Sequence, residues 1–133
     1  MSSKQSELIV ITKAKDLCAY VMATTQKSPK QFRFSYVGKM QSLVLDAMED
    51  ILRANELLVG GRHGNANCQR RYEYQRDALT SIKLLCYFAE MSLAQGCILM
   101  RQYEQIAKMA TDCRNLLGAW INSDRKRLMP DTG

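Results

Sequence analysis

The sequence of 133 residues has one histidine, one tryptophan and no long hydrophobic run. Its apolar stretches are far shorter than the roughly 20 residues that a transmembrane helix needs. The N-terminal residues MSSKQSELIV lack the long apolar core of a secretory signal peptide. We therefore expect a cytoplasmic protein that has no contact with a membrane.

The cysteines show neither a disulfide framework nor a zinc-binding pattern. There are five, an odd number, and none belongs to a Cys-x-x-Cys pair. Only His63 can add an imidazole, so a metal site lacks both ligands and spacing. We expect reduced thiols at Cys18, Cys68, Cys86, Cys97 and Cys113 and no bound metal.

The residues that catalysis requires are also scarce. A di-iron bundle needs Glu-x-x-His pairs on facing helices, and the sequence has none. A nucleophilic cysteine needs a general base nearby. The loop GGRHG can form an anion-binding nest, but it lacks the spacing of a P-loop and is more typical of a flexible connection. We predict a protein that is not an enzyme, with no catalytic residue and no cofactor.

What the sequence does have is positive charge. Nineteen Lys and Arg residues oppose thirteen Asp and Glu residues, which gives a net charge of +6. Nucleic acid is the first partner that such a balance indicates, and an acidic protein surface is the second. An apolar fraction of 47% and the length predict one globular domain over residues 1–133.

Apolar residues repeat at steps of three and four along four segments, and no segment alternates as a strand does. Breakers such as Pro29, the pair Gly60-Gly61 and Gly96 separate these segments, and short links favour antiparallel neighbours. The sequence therefore predicts an all-α, up-down-up-down antiparallel four-helix bundle. The expected helices cover about residues 5–26, 35–59, 68–95 and 100–128.

Local signals place the helix ends. Ser2 and Gln5 fit a capping box before the first helix, and Asn67 fits the cap of the third. The second helix begins either at the Ser28-Pro29 start signal or at Ser35, and the pattern leaves both open.

The apolar stripe of the first helix is Ile11, Ala14, Cys18, Val21 and Thr25. That of the second is Val37, Met40, Val44, Ala47, Ile51, Ala54 and Leu58, and that of the third is Tyr72, Leu79, Ile82, Cys86, Ala89 and Leu93.

The second half of the third helix, LTSIKLLCYFAEMSLA, is apolar nearly all round. Leu84, Leu85, Tyr87, Phe88 and Met91 lie off the predicted stripe. A helix that is apolar on several faces is buried by more than its own bundle. We therefore expect a subunit interface on this helix.

Basic residues collect at the ends of the predicted bundle. The start of the third helix and the ends of the second and fourth share one pole, while Lys30 and Arg33 belong to the other. There KQFRF alternates cations with Phe32 and Phe34, a mixture that suits phosphates and bases. The predicted contacts with nucleic acid or a partner are Lys30, Arg33, Arg53, Arg62, Arg70, Arg71, Arg76, Arg125, Lys126 and Arg127.

Two further features concern the pole that contains the start of the third helix and the end of the fourth. Arg70 and Arg71 fall in the first turn of the predicted third helix, where the helix dipole disfavours cations, so an external anion would explain them. In LLGAWINSDRKR, Trp120 is in register with Leu117 and Cys113, which predicts a core position. This segment is therefore a packed stem that ends in an exposed basic tip.

Several motifs together resemble a known family. They are Leu117-Gly118 with Trp120-Ile121, Ser28-Pro29-Lys30 with Arg33-Phe34, Leu45 with Glu49 and Arg53-Ala54, Lys83 with Leu85, Tyr103-Glu104, and Ile11-Thr12-Lys13. These motifs are spread from about Glu7 to Leu128. Through their order and spacing along the chain, the sequence resembles the accessory variability determinant proteins of diversity-generating retroelements. That group is related to four-helix-bundle proteins encoded in intervening sequences of large-subunit ribosomal RNA genes.

The resemblance implies a basic homopentameric barrel that binds the reverse transcriptase of the element and its template RNA or DNA. It implies no catalysis by this chain. The basic residues within the family-like segments are Lys30, Arg33, Arg53, Lys83, Arg125, Lys126 and Arg127. Two alternatives remain: the ribosomal intervening-sequence type, whose role is unknown, and a structural oligomer that binds an acidic protein.

Overall fold

The computed structural model describes residues 3–128, and the proposed cap Ser2 lies outside them. Four α-helices account for most of this part of the chain, which contains no strand. The fold is the predicted all-α four-helix bundle. The helices are α1 (Ser3–Thr25), α2 (Gly38–Glu56), α3 (Gly64–Ala94) and α4 (Met100–Leu128).

Each helix packs against the one before it, and α4 closes the bundle against α1. The starts of α1 and α3 therefore lie at one end of the bundle with the ends of α2 and α4. We call this end the first pole and the opposite end the second pole. The most deeply buried large side chains between the poles include Leu17, Met40, Ile51, Ile82, Leu85, Ile106, Leu117 and Trp120.

The buried face of α1 is rotated slightly from the predicted stripe, although Thr25 is buried as predicted. Ala14 and Val21 are buried as expected, but Val10 and Leu17 are more deeply buried than Ile11 and Cys18. The reason is that α1 packs against both α2 and α4, so the middle of its buried face lies between the two contacts. A sequence stripe cannot resolve this rotation.

The buried face of α3 differs more, because it includes polar residues. Arg71, Gln75 and Ser92 are buried, whereas the predicted stripe members Tyr72 and Cys86 are only partly covered. Apolar periodicity does not reveal buried polar residues, so the predicted stripe includes the apolar neighbours of Arg71 and Gln75 instead. Arg71 and Gln75 belong to a buried polar network, whereas Ser92 donates to the carbonyl of Phe88 on its own helix.

The start of α2 follows neither of the two predicted alternatives. A 3-10 turn at Lys30–Phe32 leads into a π-helical turn at Arg33–Val37, and the α-helix begins only at Gly38. Ser28 makes no cap, because its buried hydroxyl has no hydrogen-bond partner among the described residues. The helical run thus starts near the Ser28-Pro29 signal but becomes regular after Ser35.

Both predicted ends of the link between α2 and α3 are wrong by several residues. The second helix stops at Glu56, which leaves the predicted core residue Leu58 78% exposed. The third begins at Gly64, where a Cβ atom would lie 3.0 Å from the carbonyl oxygen of Val59, so the close approach of the two backbones favours glycine. Asn67 is therefore inside α3, and its side chain donates a hydrogen bond of 2.6 Å to the carbonyl of Leu58.

The outer face of α3 carries apolar side chains that this single chain does not cover. Tyr87 is 66% exposed, Met91 48% and Leu84 40%, while Leu85 on the opposite face is fully buried. Leu84, Tyr87 and Met91 thus lie off the core as the sequence predicts, whereas Leu85, which was predicted off the core stripe, is a core residue. No helix within residues 3–128 is long and apolar enough to cross a membrane. All five cysteines are free thiols.

Candidate functional site

A buried network of charges joins all four helices at the first pole. Arg71 on α3 donates hydrogen bonds from Nε to Oδ2 of Asp124 on α4 at 2.6 Å and from Nη1 to the carbonyl of Ala54 on α2 at 3.4 Å. Its Nη2 bonds to the carboxylate of Glu7 on α1. Gln75 also donates to Oδ2 of Asp124, at 2.8 Å. We call these five residues the Arg71 network.

The Arg71 network provides hydrogen-bond acceptors for a guanidinium group that is almost completely buried. Arg71 is only 3% exposed, and its guanidinium lies over the ring of Trp120, with Cζ 4.9 Å from the ring centroid. Burial by itself would lower the pKa of Arg71, but hydrogen bonds to Asp124 and Glu7 and the charges of those carboxylates raise it above its usual value. A paired, hydrogen-bonded and stacked arginine is the arrangement in which such burial is tolerated.

This geometry corrects the interpretation of Arg71 as a contact for an external anion. Because α3 begins at Gly64, neither Arg70 nor Arg71 lies in the first turn. The anions that explain Arg71 are internal, since Glu7 and Asp124 already occupy its donors. Arg71 is a buried structural residue, whereas Arg70 beside it points outward and is exposed.

The other cations predicted at this end remain on the surface. Arg53 pairs with Glu49 at 3.5 Å and Arg127 pairs with Asp124 at 3.4 Å. Arg62, Arg70, Arg76, Arg125 and Lys126 are exposed, and within residues 3–128 they form no ion pair. We call the exposed set the basic pole: Arg53, Arg62, Arg70, Arg76, Arg125, Lys126 and Arg127.

The C-terminal segment of α4 has the two predicted parts. Trp120 is completely buried, which confirms its core position, and Asp124 one turn later is buried by the Arg71 network. Arg125 and Lys126 follow in the exposed last turn, where cations suit the negative end of the helix dipole. The Arg125 guanidinium lies 5.8 Å from the ring centroid of Tyr72 on α3, so the tip is oriented by the neighbouring helix.

A surface groove of about 630 Å³ runs between α2 and α3 beside this pole. Its floor is largely apolar, and Arg53 and Arg70 of the basic pole line it together with Glu49 and Glu56. The apolar lining residues are Leu45, Met48, Leu52, Leu57 and Tyr74. The groove thus combines an apolar floor with charges of both signs.

Lys30 and Arg33 do not belong to this site. They lie at the second pole, separated from Arg53 by most of α2, which is about 28 Å long at 1.5 Å per residue. Both are exposed and line a cleft of about 450 Å³ between the end of α1 and the start of α2. The predicted nucleic-acid contacts therefore fall into two separate groups.

Acidic residues cluster along α2 and the facing part of α3. Burial raises the pKa of Asp50 to about 6, and the charges of Asp77, Glu49 and Asp46 act in the same direction. Such crowding of carboxylates disfavours the charged form of Asp50. Within residues 3–128, no group of three or more His, Cys, Asp or Glu side chains is arranged to hold a metal ion.

The sequence prediction missed two members of the Arg71 network: Asp124, which accepts from Arg71, and Gln75, which donates to Asp124. Gln75 follows Arg71 by one turn and precedes the buried Leu79 by one turn, so its position on the core face was visible in the spacing. Asp124 likewise follows Trp120 by one turn. A polar residue in register with a core stripe is the signal that indicates a buried partner.

Comparison with solved structures finds a similar fold in a protein with unknown function from the S23 ribosomal protein family of Bacteroides thetaiotaomicron VPI-5482. The TM-score is 0.75, the sequence identity is 16%, and the match covers 88% of this chain and 98% of that one. The two proteins share a fold. No protein-family model matches the sequence, and no curated protein is significantly similar to it.

Proposed function

We propose that this chain is a non-enzymatic accessory protein of a diversity-generating retroelement, which binds the template RNA or DNA and the reverse transcriptase of the element. The observation that carries the nucleic-acid part is the basic pole, where Arg62, Arg70, Arg76, Arg125 and Lys126 face solvent without a carboxylate partner among the described residues. A rigid cluster of unpaired cations attracts a polyanion and releases its counterions.

The Arg71 network supports this role by what it does to the bundle. It fixes the ends of the four helices together, so the surface cations around it are held on a rigid frame. Arginine and lysine side chains contact phosphates without reading base sequence. We therefore expect binding that depends strongly on salt and little on nucleotide sequence.

The retroelement and its reverse transcriptase are proposed from the family resemblance. That resemblance rests on the motifs around Pro29, Arg53 and Trp120 and on the order in which they occur. The same resemblance leads us to propose a homopentamer in the cytoplasm. The exposed apolar face of Leu84, Tyr87 and Met91 supports assembly, because a second chain can cover it. Five copies of a +6 chain would multiply the field that attracts nucleic acid.

A second candidate is a protein of the ribosomal intervening-sequence type, which the fold shared with the S23 family member favours. The neighbouring genes separate the two candidates. A reverse transcriptase gene with paired template and variable repeats beside this gene supports the retroelement role, and an insertion within a ribosomal RNA gene supports the other. A structural oligomer that binds an acidic protein is the third candidate, and it predicts weak RNA binding.

The experiment that tests the nucleic-acid part is a salt series of binding to a structured RNA. We expect the affinity of the wild-type chain to fall steeply with salt. The combined variant Arg70→Gln, Arg125→Gln and Lys126→Gln should weaken binding and reduce the logarithmic salt slope by about 2 to 3, as three lost phosphate contacts require. The matched control, Lys13→Gln, Lys15→Gln and Lys108→Gln, removes equal charge from exposed positions outside the basic pole.

Equal losses in the variant and the control would show that net charge alone matters and would remove the basic pole as a site. Absence of RNA binding by the wild-type chain would overturn the nucleic-acid part. Co-purification of the reverse transcriptase encoded beside this gene tests the protein part separately, and failure of the pair to associate would contradict it.

A further inference from the structure

The cleft at the second pole is a built polar site that the basic pole does not include. It lies where α1 passes into α2, and its lining combines the side chains of Lys30 and Arg33 with Ser28 and Gln41. Its volume of about 450 Å³ falls within the roughly 300–1,000 Å³ of ordinary ligand pockets. Two cations and two polar residues thus line one concave surface.

Ser28 lines this cleft, but its hydroxyl oxygen is turned away from solvent. That oxygen has no hydrogen-bond partner among the described residues. A buried hydroxyl without a partner costs free energy, so a change of rotamer that turns it towards a ligand oxygen would be favourable. The rest of the wall is already held in place: Gln41 donates to Oγ1 of Thr25 at 2.9 Å, and Thr25 donates to the carbonyl of Val21 at 2.7 Å.

Phe34 lies next to this cleft along the chain. It directly follows Arg33 and is 95% exposed, the highest value among the large hydrophobic side chains described. Phe32, the other aromatic residue of KQFRF, packs against the core, and its ring centroid lies 6.1 Å from that of Tyr36. The structure therefore divides the two rings into one that packs and one that is free to stack.

We propose that this cleft binds a backbone phosphate of single-stranded nucleic acid while an adjacent base stacks on Phe34. Lys30 and Arg33 neutralise the phosphate, and the Ser28 hydroxyl, once rotated into the cleft, donates a hydrogen bond to one of its oxygens. Stacking needs a base whose face is free, so a single strand fits this site and a continuous duplex does not. The inference rests on the proposed function and adds to it the class of strand and a second contact point.

The two poles then have different roles. The basic pole attracts any polyanion, whereas the second-pole cleft selects strands with unstacked bases. Because α2 separates the two by about 28 Å, a strand of several nucleotides, or a second strand, is needed to reach both. A structured RNA with a loop beside a stem offers both features.

The test compares three probes on the full chain: a single-stranded oligonucleotide, the duplex of the same sequence, and an abasic strand of the same length. Phe34→Ala should weaken binding of the single strand about ten-fold and leave the duplex and the abasic strand within about two-fold, because only the first loses stacking. Phe34→Trp should restore binding. The matched control Leu58→Ala removes another exposed apolar side chain far from the cleft and should change nothing.

The cleft itself is tested with Lys30→Gln combined with Arg33→Gln, which should weaken binding of the single strand and the abasic strand and affect the duplex no more than the charge control does. That control, Lys13→Gln with Lys15→Gln, removes the same charge outside the cleft and should weaken the single strand and the abasic strand less. Ser28→Ala should weaken binding several-fold without lowering thermal stability, since the hydroxyl it removes has no partner in the fold.

The outcomes separate this inference from the proposed function. If the wild-type chain binds single strands but Phe34→Ala and the cleft variant bind as the controls do, the inference is overturned and the basic pole remains. If Phe34→Ala weakens the abasic strand equally, stacking is wrong. If the wild-type chain binds none of the probes, both proposals fail together.

Discussion

Nε of Arg71 on α3 donates a hydrogen bond of 2.6 Å to Oδ2 of Asp124 on α4, across 53 residues of sequence. The guanidinium simultaneously reaches α1 through Glu7 and α2 through the carbonyl of Ala54. One side chain thus holds the ends of four helices in register. The basic pole is arranged around this contact.

Replacing Arg71 should destabilise the bundle far more than replacing its neighbour. Arg71→Met leaves the buried carboxylate of Asp124 and the mostly buried one of Glu7 without their main partner, which should cost about 3 to 5 kcal/mol of unfolding free energy. The matched change Arg70→Met alters an exposed side chain and should stay within about 0.5 kcal/mol. Urea denaturation of the two variants measures the difference, and similar values would contradict the network.

Trp120→Ala should lower the unfolding free energy by about 3 to 5 kcal/mol, because the ring is fully buried. Trp120→Phe should cost clearly less, since the indole Nε1 has no hydrogen-bond partner among the described residues to lose. Trp120 is the only tryptophan, so its emission reports on this site alone. Blue-shifted emission that iodide does not quench is expected, and strong quenching would place the ring at the surface.

Asp50 should make the fold less stable as the pH rises. Its pKa is about 6 in the folded chain and 3.8 in its usual state, so the native state binds more protons between these values. The contribution of Asp50 to stability is therefore lost as the pH rises from about 4 to 6. Asp50→Asn should raise stability at pH 7 and flatten this dependence. Glu104→Gln, an exposed site on α4, should do neither, as thermal melts from pH 4 to 8 would show.

Charges placed on the outer face of α3 should break the proposed assembly. Tyr87→Glu with Met91→Glu puts two carboxylates on a face that another chain would cover, so the particle mass should fall from five chains of 15.2 kDa towards one. Leu58→Glu alters another exposed apolar residue outside that face and should preserve the mass. Light scattering after size exclusion gives both values. A wild-type chain that is already monomeric would contradict the pentamer.

Among the four helices, the sequence predicted the boundaries of the fourth most accurately. The fourth helix was expected over about residues 100–128 and occupies Met100–Leu128. The predicted boundaries failed around Gly64, because the approach of Val59 rather than a capping side chain decides where α3 begins. They failed again before Gly38, where the chain forms 3-10 and π-helical turns that the apolar spacing does not encode.

The sequence by itself determined the class of the fold, the burial of Trp120 and the excess of positive charge, because periodicity and composition are local properties. Tertiary structure alone decided which cations are exposed and can bind a partner. Arg70 and Arg71 are adjacent and chemically identical, yet one faces solvent and the other is closed in by carboxylates 64 and 53 residues away. The physical reason is that burial and ion pairing depend on which distant residues the packing of the helices brings together.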